Sequence, residues 1–127
     1  MDETIHLDTN YLVKFSAGQH EEIGERVLGW MKDRRRLYAS AMAWAEFQCG
    51  PLGLRDHEAA QDMLHGVLPI TLEQANRAGW LFQMTGRRSR SLPDCVIAAC
   101  AMDHGALLAT DNTKDFKPFI EHGLQLT

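Results

Sequence analysis

Short apolar segments alternate with longer segments of helical period along this chain of 127 residues, and this alternation constrains the fold most strongly. Strands are predicted over residues 4–8, 37–40, 67–71, 106–110 and 124–126. A strand–helix–strand succession favours parallel strands joined by right-handed crossovers. The chain is therefore predicted to be an α/β protein with three layers, in which helices cover both faces of a compact, mostly parallel sheet.

The helical segments begin and end at residues with capping or breaking roles. Thr71-Leu72-Glu73-Gln74 has the form of a capping box, and Gly18 and Gly105 are typical of helix C-termini. Helices are predicted over residues 10–17, 20–35, 41–50, 54–66, 72–85, 91–104 and 113–122.

Length and composition favour one domain over residues 1–127, because 45% hydrophobic content suffices for a single core and no linker or repeat interrupts it. The longest apolar run, 95–102, is too short to cross a bilayer. The first residues lack the basic start of a signal peptide. These features predict a cytoplasmic protein with no membrane contact.

Four acidic residues stand at or near helix starts or within apolar patterns: Asp8, Glu46, Asp94 and Asp115. Asp8 follows the first strand, at the sheet edge where open α/β sheets bind ligands. Four gathered carboxylates would repel each other by about 4 kcal/mol per pair at ~4 Å and an effective dielectric constant near 20. A hard divalent cation relieves that repulsion, and oxygen ligands suit Mg²⁺ or Mn²⁺. The pattern therefore indicates a metal-dependent enzyme.

Each acid also has a purely structural interpretation. Asp8 could cap the following helix, although Asn10 could fill that role and leave Asp8 available. Asp94 and Asp115 could be the third residues of capped helices. Glu46 shares a helical stripe with three apolar residues, Met42, Ala45 and Cys49. A carboxylate buried there would be costly unless paired or metal-bound, whereas the alternative turns Glu46 outward.

Cysteine and histidine spacings do not match the common zinc motifs, since Cys-x-x-Cys and His-Glu-x-x-His are both missing from the sequence. Cys49, Cys95 and Cys100 are predicted to be buried thiols. His6 is the histidine of interest, because it lies in the first strand and is expected beside the acidic site.

The net charge of −4 argues against a general nucleic-acid coat protein. Arg87, Arg88 and Arg90 nevertheless form a basic cluster shortly before Asp94. Such side chains typically contact phosphates, and the alternative is a solvated helix end.

The order of the acids resembles that of a PIN domain. Asp8-Thr9-Asn10 resembles the opening motif of a PIN domain. Three later segments of this chain resemble the remaining PIN motifs: Ala45-Glu46, Asp94-Cys95-Val96-Ile97-Ala98-Ala99 and Thr110-Asp111-Asn112-Thr113-Lys114-Asp115-Phe116. The chain is also similar in length to the VapC-type toxins of toxin–antitoxin pairs. The resemblance covers essentially the whole chain.

This resemblance implies a Mg²⁺-dependent endoribonuclease, with Mn²⁺ as a substitute, that hydrolyses an RNA phosphodiester with a metal-activated water. Asp8, Glu46 and Asp94 match the recurring acids, and Asp115 fits the fourth position better than Asp111. The residues expected to orient ligands or water are Asn10, Thr110, Asp111 and Asn112.

The resemblance also implies partners. RNA would be the substrate, with Arg87, Arg88 and Arg90 as RNA contacts. A VapB-type antitoxin would hold the toxin inactive, and the toxin would form a homodimer.

One alternative function is that of a catalytically inactive PIN-like binding module. Another is a phosphatase of the haloacid dehalogenase type, but that needs Asp-x-Asp where this chain has Asp8-Thr9-Asn10. A response-regulator receiver needs a phosphoacceptor after the third strand, where Thr71-Leu72 stands.

Overall fold

The computed structural model describes residues 3–86 and 92–127. Within these ranges five strands form one sheet in the order β3-β2-β1-β4-β5, and every pair is parallel. The strands are β1 (Thr4–Leu7), β2 (Arg36–Ser40), β3 (Gly66–Leu68), β4 (Leu107–Ala109) and β5 (Gln125–Leu126). The predicted parallel sheet is therefore confirmed.

The helices lie between the strands, as the alternation predicted. They are α1 (Thr9–Ala17), α2 (Glu21–Lys32), α3 (Ala41–Gln48), α4 (Leu54–Met63), α5 (Leu72–Met84), α6 (Leu92–Asp103) and α7 (Thr113–Phe116). From β1 the chain moves through β2 to β3, and it then returns to the other side of β1 for β4 and β5. Right-handed crossovers therefore place α1 to α4 on one face and α5 and α6 on the other, which gives the predicted three layers. In the described ranges, none of the helices has the length and apolar character needed to cross a membrane.

Strand β1 lies at the centre of the sheet and is buried on both faces. Ile5 and Leu7 are fully buried on one face, and His6 is buried on the other. Ile5 is in register with Leu37 on one side and Leu107 on the other. Because both neighbours hold this strand, the residue that follows it has a well-defined position.

Helix α4 is shorter than predicted, because strand pairing begins before Gly66. The His65 main-chain N–H donates to the Leu37 carbonyl at 2.7 Å, and His65 Nδ1 accepts from the Leu37 N–H at 3.1 Å. The helix therefore ends at Met63, and β3 runs over 66–68 rather than the predicted 67–71.

The helix predicted over residues 113–122 is two elements instead. The α-helical part, α7, ends at Phe116, and a 3₁₀ helix continues over Lys117–His122 with Pro118 in its first turn. Proline has no N–H to donate to the carbonyl four residues earlier, so the regular α-helix cannot run through it.

Helix α5 begins with the predicted capping box and is tied through it to α6. Thr71 Oγ1 accepts from the Gln74 N–H at 3.1 Å, and Gln74 Oε1 accepts from the Thr71 N–H at 3.2 Å. Gln74 is buried, and its Nε2 donates to Asp103 Oδ2 at 3.0 Å. Gln74 therefore joins the start of α5 to the end of α6.

Replacing Gln74 with leucine keeps the side-chain volume but removes both side-chain hydrogen bonds. We expect the free energy of unfolding to fall by about 1–3 kcal/mol, because the Thr71 N–H and the Asp103 carboxylate lose their partner. Urea denaturation measures this change. Gln61→Leu on the exposed side of α4 is the matched control, and an equal loss in both variants would contradict the assigned role.

Candidate functional site

The site lies where the direction of the chain reverses across the sheet. Strands β1 and β4 are neighbours, but the connection after β1 leads to β2 on one side of this pair, and the connection after β4 leads to β5 on the other side. Open α/β sheets bind ligands at such a switch point. Asp8 follows β1 directly, and Thr110 follows β4. The Asp8 N–H donates to the Ala109 carbonyl at 3.0 Å, and Thr110 Oγ1 donates to Asp8 Oδ2 at 2.8 Å. The Asp8 carboxylate is therefore anchored at this edge.

Of the two residues that could cap helix α1, Asp8 and Asn10, it is Asp8 that does so. Asp8 Oδ1 accepts from the Thr9 N–H at 2.7 Å. Asn10 instead accepts from the Asp111 N–H at 3.1 Å, and so connects α1 to the segment after β4. Since a carboxylate oxygen has more than one acceptor position, these bonds leave Asp8 able to bind a further partner.

Three of the four predicted acids line one cavity. Its volume is about 320 Å³, and its walls are formed by Asp8, Thr9, Asn10, Val13, Lys14, Glu46, Asp94 and Asn112. Asp8 follows β1 and is only 4% exposed, whereas Glu46 in α3 and Asp94 in the first turn of α6 are half-buried. Three distant parts of the sequence therefore bring carboxylates to one place.

Helix α3 presents Glu46 to the cavity from the edge of its buried face. Its N-cap is Ser40, and its buried residues are Ala43 and Phe47, four positions apart. The predicted buried stripe through Glu46 is therefore wrong, since Ala45 and Cys49 are exposed. The alternative, an outward-facing Glu46, is not observed in full either, because Glu46 is half-buried and faces the cavity.

A hydrogen bond holds Glu46 in its orientation towards the cavity. Thr9 Oγ1 donates to Glu46 Oε1 at 2.8 Å, and the main-chain N–H of the same threonine donates to Asp8. Thr9 therefore contacts two of the acids at once.

The two candidates for the fourth acid differ in their surroundings. Asp111 is exposed and forms an ion pair with Lys14, whose hydrogen bond lowers the pKa of that carboxyl. Asp115 lies half-buried in α7, outside the cavity walls, but its charge acts on Asp8. Because the charge of Asp111 is matched by a lysine, Asp115 is the better candidate.

Burial raises the pKa of Asp8 to about 6, and the charges of Glu46 and Asp115 add to this effect. The hydrogen bonds from Thr110 and Thr9 lower the pKa of Asp8 and offset part of the increase. The negative charge of Asp8 is therefore incompletely compensated by the protein. The ligand atoms of the three acids are all oxygens, which is the donor set that fits a hard dication such as Mg²⁺ or Mn²⁺.

The sequence interpretation missed three residues of the cavity wall, Thr9, Val13 and Lys14. Thr9 and Val13, and likewise Asn10 and Lys14, are four positions apart on α1 and therefore share one helix face. That spacing could have identified them. The predicted RNA contacts Arg87, Arg88 and Arg90, and the predicted cap Ser91, lie outside the described residues.

His6 is not beside the acids, which corrects the expectation from its place in β1. Its ring lies at a second cavity of about 220 Å³, 5.3 Å from the His104 ring and 6.2 Å from the Tyr38 ring, measured between centroids. Burial lowers the pKa of His6 to about 4, so the imidazole is neutral at physiological pH. Of the cysteines, Cys95 and Cys100 are buried as predicted, but Cys49 is exposed.

Comparison with known proteins identifies the fold family. A family model of the PIN domain matches residues 5–118. A toxin–antitoxin complex from Klebsiella pneumoniae is similar with a TM-score of 0.71 and 26% identity, over 89% of this chain and 90% of that one. VapBC2 from Rickettsia felis, bound to a promoter DNA fragment, has a TM-score of 0.72 and 22% identity, over 98% and 97% of the two chains.

DNA-bound VapBC from Salmonella typhimurium is similar to the same degree, with a TM-score of 0.72 and 21% identity over 98% of this chain and 97% of that one. Comparison with curated proteins gives no significant match. The solved structures agree with the family assignment in fold and in extent. Because residues 5–118 make up most of the sequence, the chain belongs to the PIN domain family.

Proposed function

We propose that this chain is a Mg²⁺-dependent endoribonuclease that acts in the cytoplasm as the toxin of a type II toxin–antitoxin pair. The observation that carries the proposal is the convergence of Asp8, Glu46 and Asp94 on one cavity at the switch point of the sheet. Membership of the PIN family supports it, since PIN domains are typically nucleases.

In this proposal Asp8, Asp94 and Asp115 hold one or two Mg²⁺ ions, with Mn²⁺ as a substitute, and Glu46 completes the acidic set. When bound, the cation supplies Lewis-acid chemistry, because it makes water more acidic near neutral pH and offsets charge on the phosphodiester. The all-oxygen donor set of the cavity supports a bound cation, and a cation would offset the cost of burying the charge of Asp8.

The remaining residues of the cavity position these groups. Thr110 Oγ1 donates to Asp8 and accepts from the Asn112 N–H at 2.9 Å, so it joins the two sides of the switch point. Lys14 Nζ is held at the cavity wall by Asp111 and places a positive charge where an RNA phosphate would enter. Arg87, Arg88 and Arg90 are proposed as further RNA contacts.

The direct test is a cleavage assay on single-stranded RNA with the purified, chelator-treated protein. We expect cleavage only after addition of Mg²⁺ or Mn²⁺, with products that carry a 5′-phosphate and a 3′-hydroxyl. RNA affinity should also fall steeply with salt, because the proposed contacts are to phosphates. Failure to bind either metal at millimolar concentration would instead favour a catalytically inactive PIN-like binding module.

The hydrogen bond between Thr9 and Glu46 predicts a smaller, graded effect on cleavage. Thr9→Val preserves the shape and the main-chain contact to Asp8 but removes the donor to Glu46. A hydrogen bond to a charged group contributes about 1.5 kcal/mol, so the cleavage rate should fall about tenfold. Thr9→Ser keeps the hydroxyl and serves as the control. Equal rates for the valine and serine variants would contradict a positioning role for Thr9.

A VapB-type antitoxin is the proposed partner, and the proposed toxin forms a homodimer. The support is that the similar solved structures are toxin–antitoxin complexes, two of them VapBC complexes. An antitoxin arginine or lysine that enters the acidic cavity could form charge-assisted hydrogen bonds with the carboxylates that line it. We expect a small neighbouring open reading frame whose product has a DNA-binding N-terminus. Co-expression of that neighbouring protein should block RNA cleavage. If the neighbouring protein co-purifies with this chain but leaves cleavage intact, the antitoxin assignment is contradicted.

A further inference from the structure

A second set of side chains brings metal-binding atoms together, away from the acidic cavity. His6, Cys100 and His104 each offer one ligand atom, and these atoms all lie within 4.8 Å of one another. His6 belongs to β1, whereas Cys100 and His104 lie on α6 and directly after it. The set therefore spans the sheet and the helix that packs against it.

His6 is a buried polar group without a hydrogen-bond partner. The side chain is 1% exposed, and neither Nδ1 nor Nε2 has a partner among the described residues. A buried polar group left in this way costs about 1–3 kcal/mol, and its usual explanation is a bound water or ion. The adjoining cavity of about 220 Å³, which His104 and Tyr38 also line, has room for either.

Cys100 and His104 are arranged as a pair of ligands. They are four residues apart at the end of α6, so their side chains lie on the same helix face. His104 Nδ1 lies 2.8 Å from the Cys100 carbonyl oxygen. Since a carbonyl oxygen can only accept a hydrogen bond, Nδ1 is the donor. The other nitrogen, Nε2, therefore carries the lone pair, and metal-binding histidines commonly make such a bond to a main-chain carbonyl.

The chemistry of these ligands differs from that of the acidic cavity. One thiol and two imidazoles are soft to intermediate donors, which suit Zn²⁺ and related dications rather than Mg²⁺. Burial raises the pKa of the Cys100 thiol to about 11, so binding must release the thiol proton to solvent. Metal binding here should therefore strengthen as the pH rises.

We propose that His6, Cys100 and His104 form a second metal site, which takes Zn²⁺ or a similar dication with a water in the remaining position. This site is independent of the proposed nuclease activity. It joins β1, whose end carries Asp8, to the end of α6, whose first turn carries Asp94. A bound ion would therefore stabilise the fold by linking the two elements.

Co²⁺ is the suitable probe, because its thiolate complexes absorb in the near ultraviolet and its four-coordinate complexes absorb in the visible range. We would titrate the chelator-treated full chain with Co²⁺ in the presence of excess Mg²⁺. The excess Mg²⁺ competes with Co²⁺ for the carboxylates of the acidic cavity but not for the thiol and the imidazoles. We expect a thiolate charge-transfer band that Zn²⁺ abolishes on displacement. Its absence would overturn the proposal and leave water as the partner of His6.

Variants assign the band to these residues. His104→Gln changes an exposed side chain and should therefore fold, and Cys100→Ala removes the thiol. Each should weaken Zn²⁺ binding by at least about 100-fold, since loss of even an indirect contact to a metal ligand costs about 10–100-fold. Cys49→Ser and Asp8→Asn should keep the wild-type affinity. Unchanged binding in His104→Gln, or loss of the band in Cys49→Ser, would refute the site.

Discussion

Replacing Asp8 with asparagine should reduce Mg²⁺-dependent RNA cleavage by about 1,000-fold. Asparagine keeps the shape of the side chain and an oxygen that can accept from the Thr9 N–H, but it removes the charge that attracts the cation. A metal site contributes several kcal/mol to transition-state stabilisation, and about 4 kcal/mol corresponds to this loss in rate. Asp94→Asn should have an effect of the same order.

Single-turnover cleavage of a labelled RNA measures the loss, and circular dichroism establishes that the variants fold. Asp62→Asn on the exposed surface of α4 changes the net charge by the same amount and is the control. It should cleave at the wild-type rate. Retention of full activity by both Asp8→Asn and Asp94→Asn would exclude the proposed site.

The pH dependence of stability should differ between the metal-free wild type and Asp8→Asn. Burial raises the pKa of Asp8 to about 6, so between pH 4 and 6 the Asp8 carboxyl is more protonated in the folded protein than in the unfolded chain. This contribution to stability is present at low pH and is lost as the pH rises through 6. A pKa difference of about 2 corresponds to about 3 kcal/mol at most.

His6 acts in the opposite direction over the same pH range. Its pKa is lowered to about 4 by burial, so its contribution is lost as the pH falls from about 6.5 to 4. The two effects largely cancel in the wild-type protein. Without Asp8 only the histidine contribution remains, and stability should rise with pH.

Urea denaturation from pH 4 to 8 in the presence of a chelator measures this difference. The stability of Asp8→Asn relative to the wild type should increase by up to about 3 kcal/mol across this range. Added Mg²⁺ should then stabilise the wild type but not the variant. A difference between the two proteins that stays constant with pH would show that Asp8 titrates normally in the fold.

The order of the elements could be predicted from the sequence, because short apolar strands and amphipathic helices have different periods. Errors arose where local pattern and tertiary contacts conflict. The residues before Gly66 are compatible with a helix, but pairing of His65 with Leu37 draws them into the sheet. Pro118 signals the break after α7, but the helical spacing of the surrounding residues hides that signal.

The acids could be selected from the sequence, but their surroundings could not. Helix α3 is apolar on nearly all sides, so its pattern could not tell which face is buried and left the orientation of Glu46 open. The hydrogen bond from Thr110 to Asp8 joins residues 102 positions apart, beyond the range of any local pattern. Alternation along β1 assigns His6 to one face of the sheet but not to a neighbour on α6, so its place beside Cys100 and His104 could not be predicted.

The central position of β1 has a consequence for biosynthesis. This strand is synthesised before β4, which pairs with it and comes about a hundred residues later. The Asp8 side chain therefore acquires its Thr110 partner only after the intervening strands and helices have been synthesised. Under the proposed function, prematurely terminated products lacking β4 would have no Thr110 to anchor Asp8, so we expect them to be inert.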